Sequence, residues 1–519
     1  MSFQDVVRFL SSRDSHPAAA APVEVVETHA AMVFLTGRDA YKIKRPVKYD
    51  YLDFSTLAKR RAMLGRELAL NRPAAPELYL GLVPITRGAD GRLALGGTGE
   101  VVEWCLHMRR FPKEAELSEL ASRGALSEKI AADIGRTLAD YHHRAERRDA
   151  DGHRQVARIA AGLESAFSDM SDVLEPGRAA RFGAAVSRQI ETNAALLSER
   201  DRLGHVRRGH GDLHLGNLVL IDGRPVPFDA LEFDEDLATL DVLYDLAFLL
   251  MDLSHQGMGW AANAALNAYL ETADLPDHLD GLALLPLFTG LRAGIRAMVS
   301  VQAAQLADNG GEAKQDAARA YLDQALTLLA PPPPRLVAVG GLSGTGKTTL
   351  ARRLAPAIGP APGAIHLRSD VERKALFGVD ALTRLPPSAY DGATGETVYA
   401  RLLDKADRIL AAGHGVVLDA VFLRAEERAA VARLARRHGV AATGLWLEAD
   451  VQTLLARVGA RRGDASDADA GVVRAQVAAA GAVPDWPHVD AGASGAETLR
   501  RAAGLCPLDR PLSLPPAQG

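Results

Sequence analysis

The chain has 519 residues, 48% of them hydrophobic and 24% charged, with a formal net charge of −5. This length exceeds one ordinary core and calls for two or three domains, and the composition is that of a soluble globular protein. The small negative charge excludes a general attraction to nucleic acid or anionic membrane, while still allowing a local basic pocket. Cys105 and Cys506 are the only cysteines, which argues against a disulfide framework and fits a reducing compartment. Near the N-terminus, Phe3, Val6, Val7 and Leu10 share one helical face, and charges at Asp5 and Arg8 interrupt any signal-peptide core. No uncharged run approaches the length of a bilayer span. The expected location is the cytoplasm, with no membrane or nucleic-acid partner.

After an Ala- and Pro-rich hinge from His16 to Pro22, strand patterns cover Val23–Thr28, Met32–Thr36 and Ala40–Lys44, with Gly37-Arg38-Asp39 as a hairpin turn. Lys42 and Lys44 are two apart, so they point to the same face of a strand. Such lysines serve a nucleotide phosphate or blunt a sheet edge. Asp53-Phe54-Ser55-Thr56 starts a long helix carrying Glu67, which can pair with a strand lysine or remain a surface charge, and Pro73 and Pro76 end it. Strands follow at Leu78–Ile85 and Val101–His107, then a largely helical region from Leu117 to Leu203.

The next stretch is His210-Gly211-Asp212-Leu213-His214-Leu215-Gly216-Asn217, followed by Leu218-Val219-Leu220-Ile221 and Pro227-Phe228-Asp229. Phosphoryl transfer needs a carboxylate near the acceptor hydroxyl and oxygen ligands for Mg²⁺. Asp212 and Asn217 have the Asp-to-Asn offset of a kinase catalytic loop, and Asp229 ends an apolar run where a second metal carboxylate belongs. The alternative is that Asp212 and Asn217 only cap turns. His210 and His214 suit loop support better than metal ligation. Arg292 and Arg296, four apart in a late helix, either face an anionic ligand or form a solvated face.

This stretch resembles the aminoglycoside phosphotransferase and choline kinase group, relatives of protein kinases, whose loop reads His-Gly-Asp-Leu-His-x-x-Asn. The run from Asp241 through Tyr244-Asp245-Leu246-Ala247 resembles the helix start that this group places behind its metal Asp. The resemblance implies Asp212 as catalytic carboxylate, Asn217 and Asp229 as Mg²⁺ ligands, and Lys44 or Lys42 as the phosphate lysine paired with Glu67. Thr28-His29-Ala30-Ala31 stands where that group has its glycine loop.

Pro331-Pro332-Pro333-Pro334 marks a boundary, because a proline run continues neither helix nor sheet and favours a stiff spacer. Beyond it, Leu336-Val337-Ala338-Val339 reads as a buried strand leading into Gly341-Leu342-Ser343-Gly344-Thr345-Gly346-Lys347-Thr348. Two glycines with four residues between them, then Lys and a hydroxyl residue, form a phosphate loop. Its backbone N–H groups, spanning Gly341, Ser343, Gly344, Thr345, Gly346 and on to Thr349 in the following helix, cradle phosphate oxygens. Lys347 reaches the β- and γ-phosphates and Thr348 holds Mg²⁺.

A second strand, Ala364–Leu367, leads to Asp370, with Arg373 on the next turn. Ligands of open parallel sheets bind beyond the carboxyl ends of strands, so Asp370 can orient an acceptor hydroxyl and Arg373 can hold an anionic group. Asp370 as a helix N-cap is the competing reading. Gly415–Asp419 is a third strand, its Asp419 placed for the Mg²⁺ shell. Gly444–Leu447 is a fourth, and the helix after it presents Arg457, Arg461 and Arg462, either as a lid over the triphosphate or as a basic surface patch.

Leu336 to about Leu505 resembles the small P-loop kinases grouped with gluconate kinase, shikimate kinase, polynucleotide kinase and zeta toxin. That likeness implies Asp370 as the hydroxyl-activating carboxylate and Arg457 and Arg461 as lid residues. Nearly the full chain looks like the class described as bifunctional aminoglycoside phosphotransferase/ATP-binding proteins.

The expected fold is multidomain. An α+β protein-kinase-like domain covers 1–330, with a small lobe over about 23–107 and a large lobe over about 108–330. A linker at 331–335 and an α/β P-loop domain with a parallel sheet at 336–505 follow, then a disordered tail at 506–519. The expected activity is Mg²⁺-dependent transfer of the ATP γ-phosphoryl group to hydroxyls of small-molecule acceptors by two modules. The alternative is a regulatory or stress-response protein that binds ATP with weak turnover. A further reading is drug inactivation, for which Glu232, Asp234, Glu235 and Asp236 would line an acidic cleft for a cationic acceptor.

Overall fold

The computed structural model describes residues 2–16, 22–28, 30–49, 52–305, 310–461, 463–479 and 485–516. His29, Arg462 and most of the hinge between His16 and Pro22 lie outside these residues. The chain forms two compact units. One comprises Met1–Leu126, Tyr141–Ala150 and Gly204–Leu246, and the other Ser127–Asp140, Asp151–Leu203 and Ala247–Gly519. The proline run at 331–334 therefore lies within the second unit.

The first unit is built on a six-stranded antiparallel sheet whose main strands are Glu24–Glu27, Ala31–Leu35, Asp39–Lys44, Glu100–Arg109 and Tyr79–Arg87, in that spatial order. Alternation sets the register: Phe34 and Ile43 are fully buried against Val6 and Leu10 of the helix Phe3–Ser11, while Lys42 and Lys44 point to the opposite face. The edge strand Leu93–Leu95 escapes a sequence reading because three residues carry too little periodicity. The helix Leu57–Asn71 starts at Thr56, whose hydroxyl accepts from the Lys59 N–H at 3.3 Å, which satisfies an otherwise unpaired first-turn donor. It buries Leu64 with Tyr79 and Leu106, and that packing carries Glu67 beneath the lysine face.

In the second unit a five-stranded parallel sheet runs Ile365–Arg368, Val416–Asp419, Arg335–Gly341, Ala441–Glu448 and His488–Asp490 in spatial order. Its central strands are fully buried apolar runs, as parallel sheets covered on both faces require. The three-residue strand His488–Asp490 has no expectation to match it. The same unit holds the helices Gly152–Asp169, Pro176–Arg202, Gly259–Ala273, Leu285–Gln305 and Gly311–Leu329.

The solvated-face reading of Arg292 and the disordered tail both fail. The stretch Pro276–Gln305 has the length and apolarity of a membrane span despite Arg292 and Arg296, and 67% of its most apolar window is buried inside the protein. Arg292 is 4% exposed and its guanidinium lies 4.8 Å from the Phe248 ring, so it belongs to the core and not to a solvated face. The tail is also ordered as far as it is described. Cys506 is buried and Leu508 and Leu512 pack on the P-loop core. Asp509 accepts from Arg335 Nε and the Gly359 N–H at 2.9 and 2.8 Å, and Arg510 donates to the Gly359 carbonyl at 2.6 Å. Prolines forbid regular structure here but not packing, and composition does not reveal paired charges far apart in sequence.

Removing one partner of a largely buried ion pair leaves the other uncompensated. Asp509→Ala is therefore expected to lower stability by about 3 kcal/mol, read as a shift in the urea midpoint of tryptophan fluorescence.

Candidate functional sites

Lys42 and Lys44 reach the same carboxylate. Lys42 Nζ lies 2.7 Å from Glu67 Oε1, and Lys44 Nζ lies 2.7 Å from Glu67 Oε2. Lys42 also bonds Asp229 Oδ1 at 2.7 Å, and Lys44 bonds Glu232 Oε1 at 2.6 Å. Glu67 is wholly buried. The pairing offsets the desolvation of two ammonium groups. Burial alone lowers a lysine pKa, yet Asp229, Glu67 and Glu232 hold that of Lys42 well above its usual value. Burial raises Asp229 in turn, but the Lys42 charge and hydrogen bond outweigh it and bring Asp229 down to about 2.

Asp229 stands at φ +59°, in the left-handed region. Two buried side chains hold it there: Tyr79 Oη accepts from the Asp229 N–H at 3.0 Å, and Asn71 Oδ1 accepts from the Ala230 N–H at 2.8 Å. Asn71 is the last residue of the helix that carries Glu67, so one element places both the lysine's partner and the neighbouring aspartate.

The loop from His210 is fixed from behind by Asp245, whose oxygens accept from the His210 and Gly211 N–H groups at 2.6 and 3.0 Å. His142 Nε2 lies 3.2 Å from the same carboxylate. His210 Nε2 lies 2.9 Å from the Phe228 carbonyl, and burial lowers its pKa, which favours the neutral ring as donor. Asn217 Nδ2 donates to the Asp212 carboxylate at 3.0 Å, and the Asn217 carbonyl accepts from the Phe228 N–H at 3.0 Å. Asn217 thus ties Asp212 to the residue before Asp229. Asn71, Tyr79 and Asp245 were missed by sequence reasoning. Asp245 lay inside a quoted motif, whereas nothing local marks the other two.

The acidic residues weighed for a cationic acceptor make contacts within the protein. Glu232 pairs with Lys44, Glu235 with Arg208 and Arg148, and Asp234 caps the Leu237 N–H.

The second site surrounds a cavity of about 1020 Å³ at the carboxyl end of the parallel sheet. Ser343, Gly344, Gly346, Lys347, Thr348, Thr349, Asp370, Arg373, Asp419, Arg457 and Arg461 all line it. Gly341 and Thr345 do not. They support the loop from beneath, Thr345 Oγ1 donating to the Leu342 carbonyl at 2.8 Å. Gly344 has φ +90°, and a Cβ there would meet the Leu454 carbonyl at 2.8 Å, so only glycine fits.

Lys347 Nζ donates to the Leu342 carbonyl at 3.0 Å, curling over its own loop, and burial lowers its pKa. Thr348 Oγ1 donates to Asp419 Oδ2 at 2.6 Å, and His366 Nε2 lies 3.3 Å from that oxygen. Burial raises Asp419, but its hydrogen bond to His366 and the nearby charges bring it down to about 2. Gln476 Oε1 accepts from the Ser343 N–H at 2.8 Å, the role a phosphate oxygen plays in such a loop. Arg373 donates to the Ala389 carbonyl at 2.7 Å and stacks on Tyr390. Arg457 and Arg461 close the helix Val451–Ala460 at the cavity wall.

Mg²⁺ takes hard oxygen donors. The Thr348 hydroxyl with the Asp419 carboxylate is one fitting pair. The Asp229 carboxylate with the Asn217 amide oxygen, whose nitrogen is turned to Asp212, is the other.

Residues 336–483 match the family described as AAA domain. Uncharacterised proteins of Mycobacterium tuberculosis and Mycobacterium bovis are each 31% identical to this chain over 433 residues, 81% of it and 83% of theirs. A choline/ethanolamine kinase family protein from Mesorhizobium loti is similar at 14% identity and TM-score 0.38, covering 63% of this chain and 99% of that one. A gluconokinase from Sinorhizobium meliloti 1021 is similar at 20% identity and TM-score 0.24, covering 33% and 90%.

Three tests follow from the geometry. Asn71→Ala strips the Ala230 N–H of its acceptor and is expected to cost about 1–3 kcal/mol in urea unfolding. Gly344→Ala is expected to abolish nucleotide binding at the phosphate loop, measured by calorimetry. A carboxylate held below its unfolded pKa stabilises above that value and loses this as pH falls toward the folded one. The stability gap between wild type and Lys42→Met should therefore be fully present at pH 7 and narrow between about pH 4 and 2, read from urea midpoints.

Proposed function

Because this chain belongs to the bifunctional aminoglycoside phosphotransferase/ATP-binding protein family, we propose that it is a Mg²⁺-dependent ATP phosphotransferase with two sites. Each transfers the γ-phosphoryl group to a hydroxyl of a small-molecule acceptor. The observation that carries this reading is that a partly buried lysine meets hard-oxygen ligands twice: Lys42 beside Asp229, and Lys347 beside Thr348 and Asp419.

In the first site Lys42 binds the nucleotide phosphates, and Glu67 fixes its reach. Asp212 accepts the proton of the acceptor hydroxyl as its oxygen bonds to phosphorus and the bond to the β-phosphate oxygen breaks. Asn217 and Asp229 hold Mg²⁺. In the second site the loop N–H groups and Lys347 bind the phosphates, and Thr348 and Asp419 hold the ion. Asp370 orients the acceptor hydroxyl and Arg373 takes an anionic group of the acceptor. Arg457 and Arg461 cover the triphosphate. Mg²⁺, when bound, neutralises charge on the phosphate oxygens. Catalysis rests on positioning and charge neutralisation, with no covalent enzyme intermediate.

The test is a screen of a metabolite extract with γ-labelled ATP, using the intact protein, Asp212→Ala and Lys347→Ala. Each substitution is expected to abolish a different labelled product. An intact protein that binds ATP, with both variants binding it as well, yet labels nothing would instead be a regulatory nucleotide-binding protein.

A further inference from the structure

The helix Gly259–Ala273 precedes the proline run by some sixty residues, yet it covers the open edge of the parallel sheet. The edge strand Ile365–Arg368 pairs on one side with Val416–Asp419, and its other side would expose unpaired backbone groups. Asn263 and Asn267, one helical turn apart, satisfy two of them. Asn267 Oδ1 accepts from the His366 N–H at 2.6 Å, and Asn263 Nδ2 donates to the Ala364 carbonyl at 3.0 Å. Asn267 Nδ2 lies 3.4 Å from that carbonyl and also donates to the Asn263 carbonyl at 2.9 Å.

The residue gripped in this way faces the phosphate loop through its side chain. The His366 ring meets Asp419 Oδ2, the oxygen to which Thr348 donates. Hydrogen bonds therefore run without a break from Asn267 through His366 and Asp419 to Thr348. A second tie runs parallel to the first. Lys405 Nζ lies 2.7 Å from both Asp274 Oδ1, just past the same helix, and Glu372 Oε1. Glu372 is 3% exposed and sits on the short helix that carries Asp370 and Arg373.

We propose that Asn267 is a positioning residue for the phosphate-loop site. By holding the His366 backbone, it aims the ring that fixes the Asp419 carboxylate toward Thr348. The helix Gly259–Ala273 is thereby a working part of that site, although it lies on the far side of the proline run. The inference rests on reading Thr348 and Asp419 as the Mg²⁺ pair. A hydrogen-bond partner behind a metal ligand typically changes metal affinity tenfold or more when removed. A side chain merely covering an edge would change stability alone.

The test uses the full-length chain in a Lys42→Met background, so that nucleotide binding reports the phosphate loop. Binding of a fluorescent ATP analogue is followed as Mg²⁺ is titrated, and again in EDTA. Asn267→Ala is expected to raise the Mg²⁺ concentration for half-maximal binding about tenfold, with affinity in EDTA unchanged. Asn267→Asp keeps an acceptor for the His366 N–H and is expected to stay within about twofold of the background protein, and His366→Leu to lose at least as much as Asn267→Ala. An Asn267→Ala protein with a lower melting temperature but an unchanged Mg²⁺ titration overturns the proposal. If Asn267→Ala does not fold, the Asp and Leu variants decide: equal Mg²⁺ titrations overturn it. Mg²⁺-dependent binding that survives Lys347→Ala in this background sinks the phosphate-loop reading itself and not this inference.

Discussion

An ammonium group taken out of water costs several kcal/mol unless opposite charge or well-placed oxygens meet it, and this chain solves the problem differently at its two sites. At Lys42 and Lys44 three carboxylates, Glu67, Asp229 and Glu232, close around two lysines. There the protein's own charges satisfy the lysines, and Lys42 stays protonated far above neutral pH. Lys347 has a carbonyl as its hydrogen-bond acceptor and feels Asp419 and Asp370 through space. Its lowered pKa marks a cation short of negative charge, the condition under which an anionic ligand gains most.

The scaffolding follows from those two solutions. Glu67 must sit beneath the lysine strand, so the helix Leu57–Asn71 packs Leu64 under the sheet, and its last residue steadies the backbone beside Asp229. Asp245 holds two successive N–H groups of the loop that ends in Asn217. In the second unit the loop glycines admit strand and helix backbones to within contact distance, as the Leu447 and Leu454 carbonyls beside Gly341 and Gly344 require. The strand ends then deliver Asp419 and Asp370 to one cavity.

Much of this was legible in the sequence, and the reasons are specific. The phosphate loop announces itself because its chemistry depends on contiguous residues: glycines for backbone angle, Lys and Thr for ligands. Strands with clean alternation or continuous apolarity, such as Asp39–Lys44 and Val416–Asp419, were also readable. The choice between Lys42 and Lys44 was not, since both share a face and the difference lies in Asp229, 187 residues from Lys42. Asn71, Tyr79, Gln476 and Asn267 act through tertiary contacts to backbone groups, and such contacts leave no local pattern. The tail misled for a related reason. Its prolines signalled irregularity, but order there comes from Asp509 and Arg335, 174 residues apart.

One consequence concerns how far position 229 can drift. A left-handed backbone admits glycine readily, and aspartate or asparagine at modest cost, because their short side chains tolerate it. Glycine would keep the bend and surrender the carboxylate. Asparagine would keep the bend and most of the shape but leave Lys42 with one anion fewer, while glutamate would keep the charge in a conformation it resists. Backbone geometry and electrostatics each accept a short list at this position, and the two lists overlap in a single amino acid.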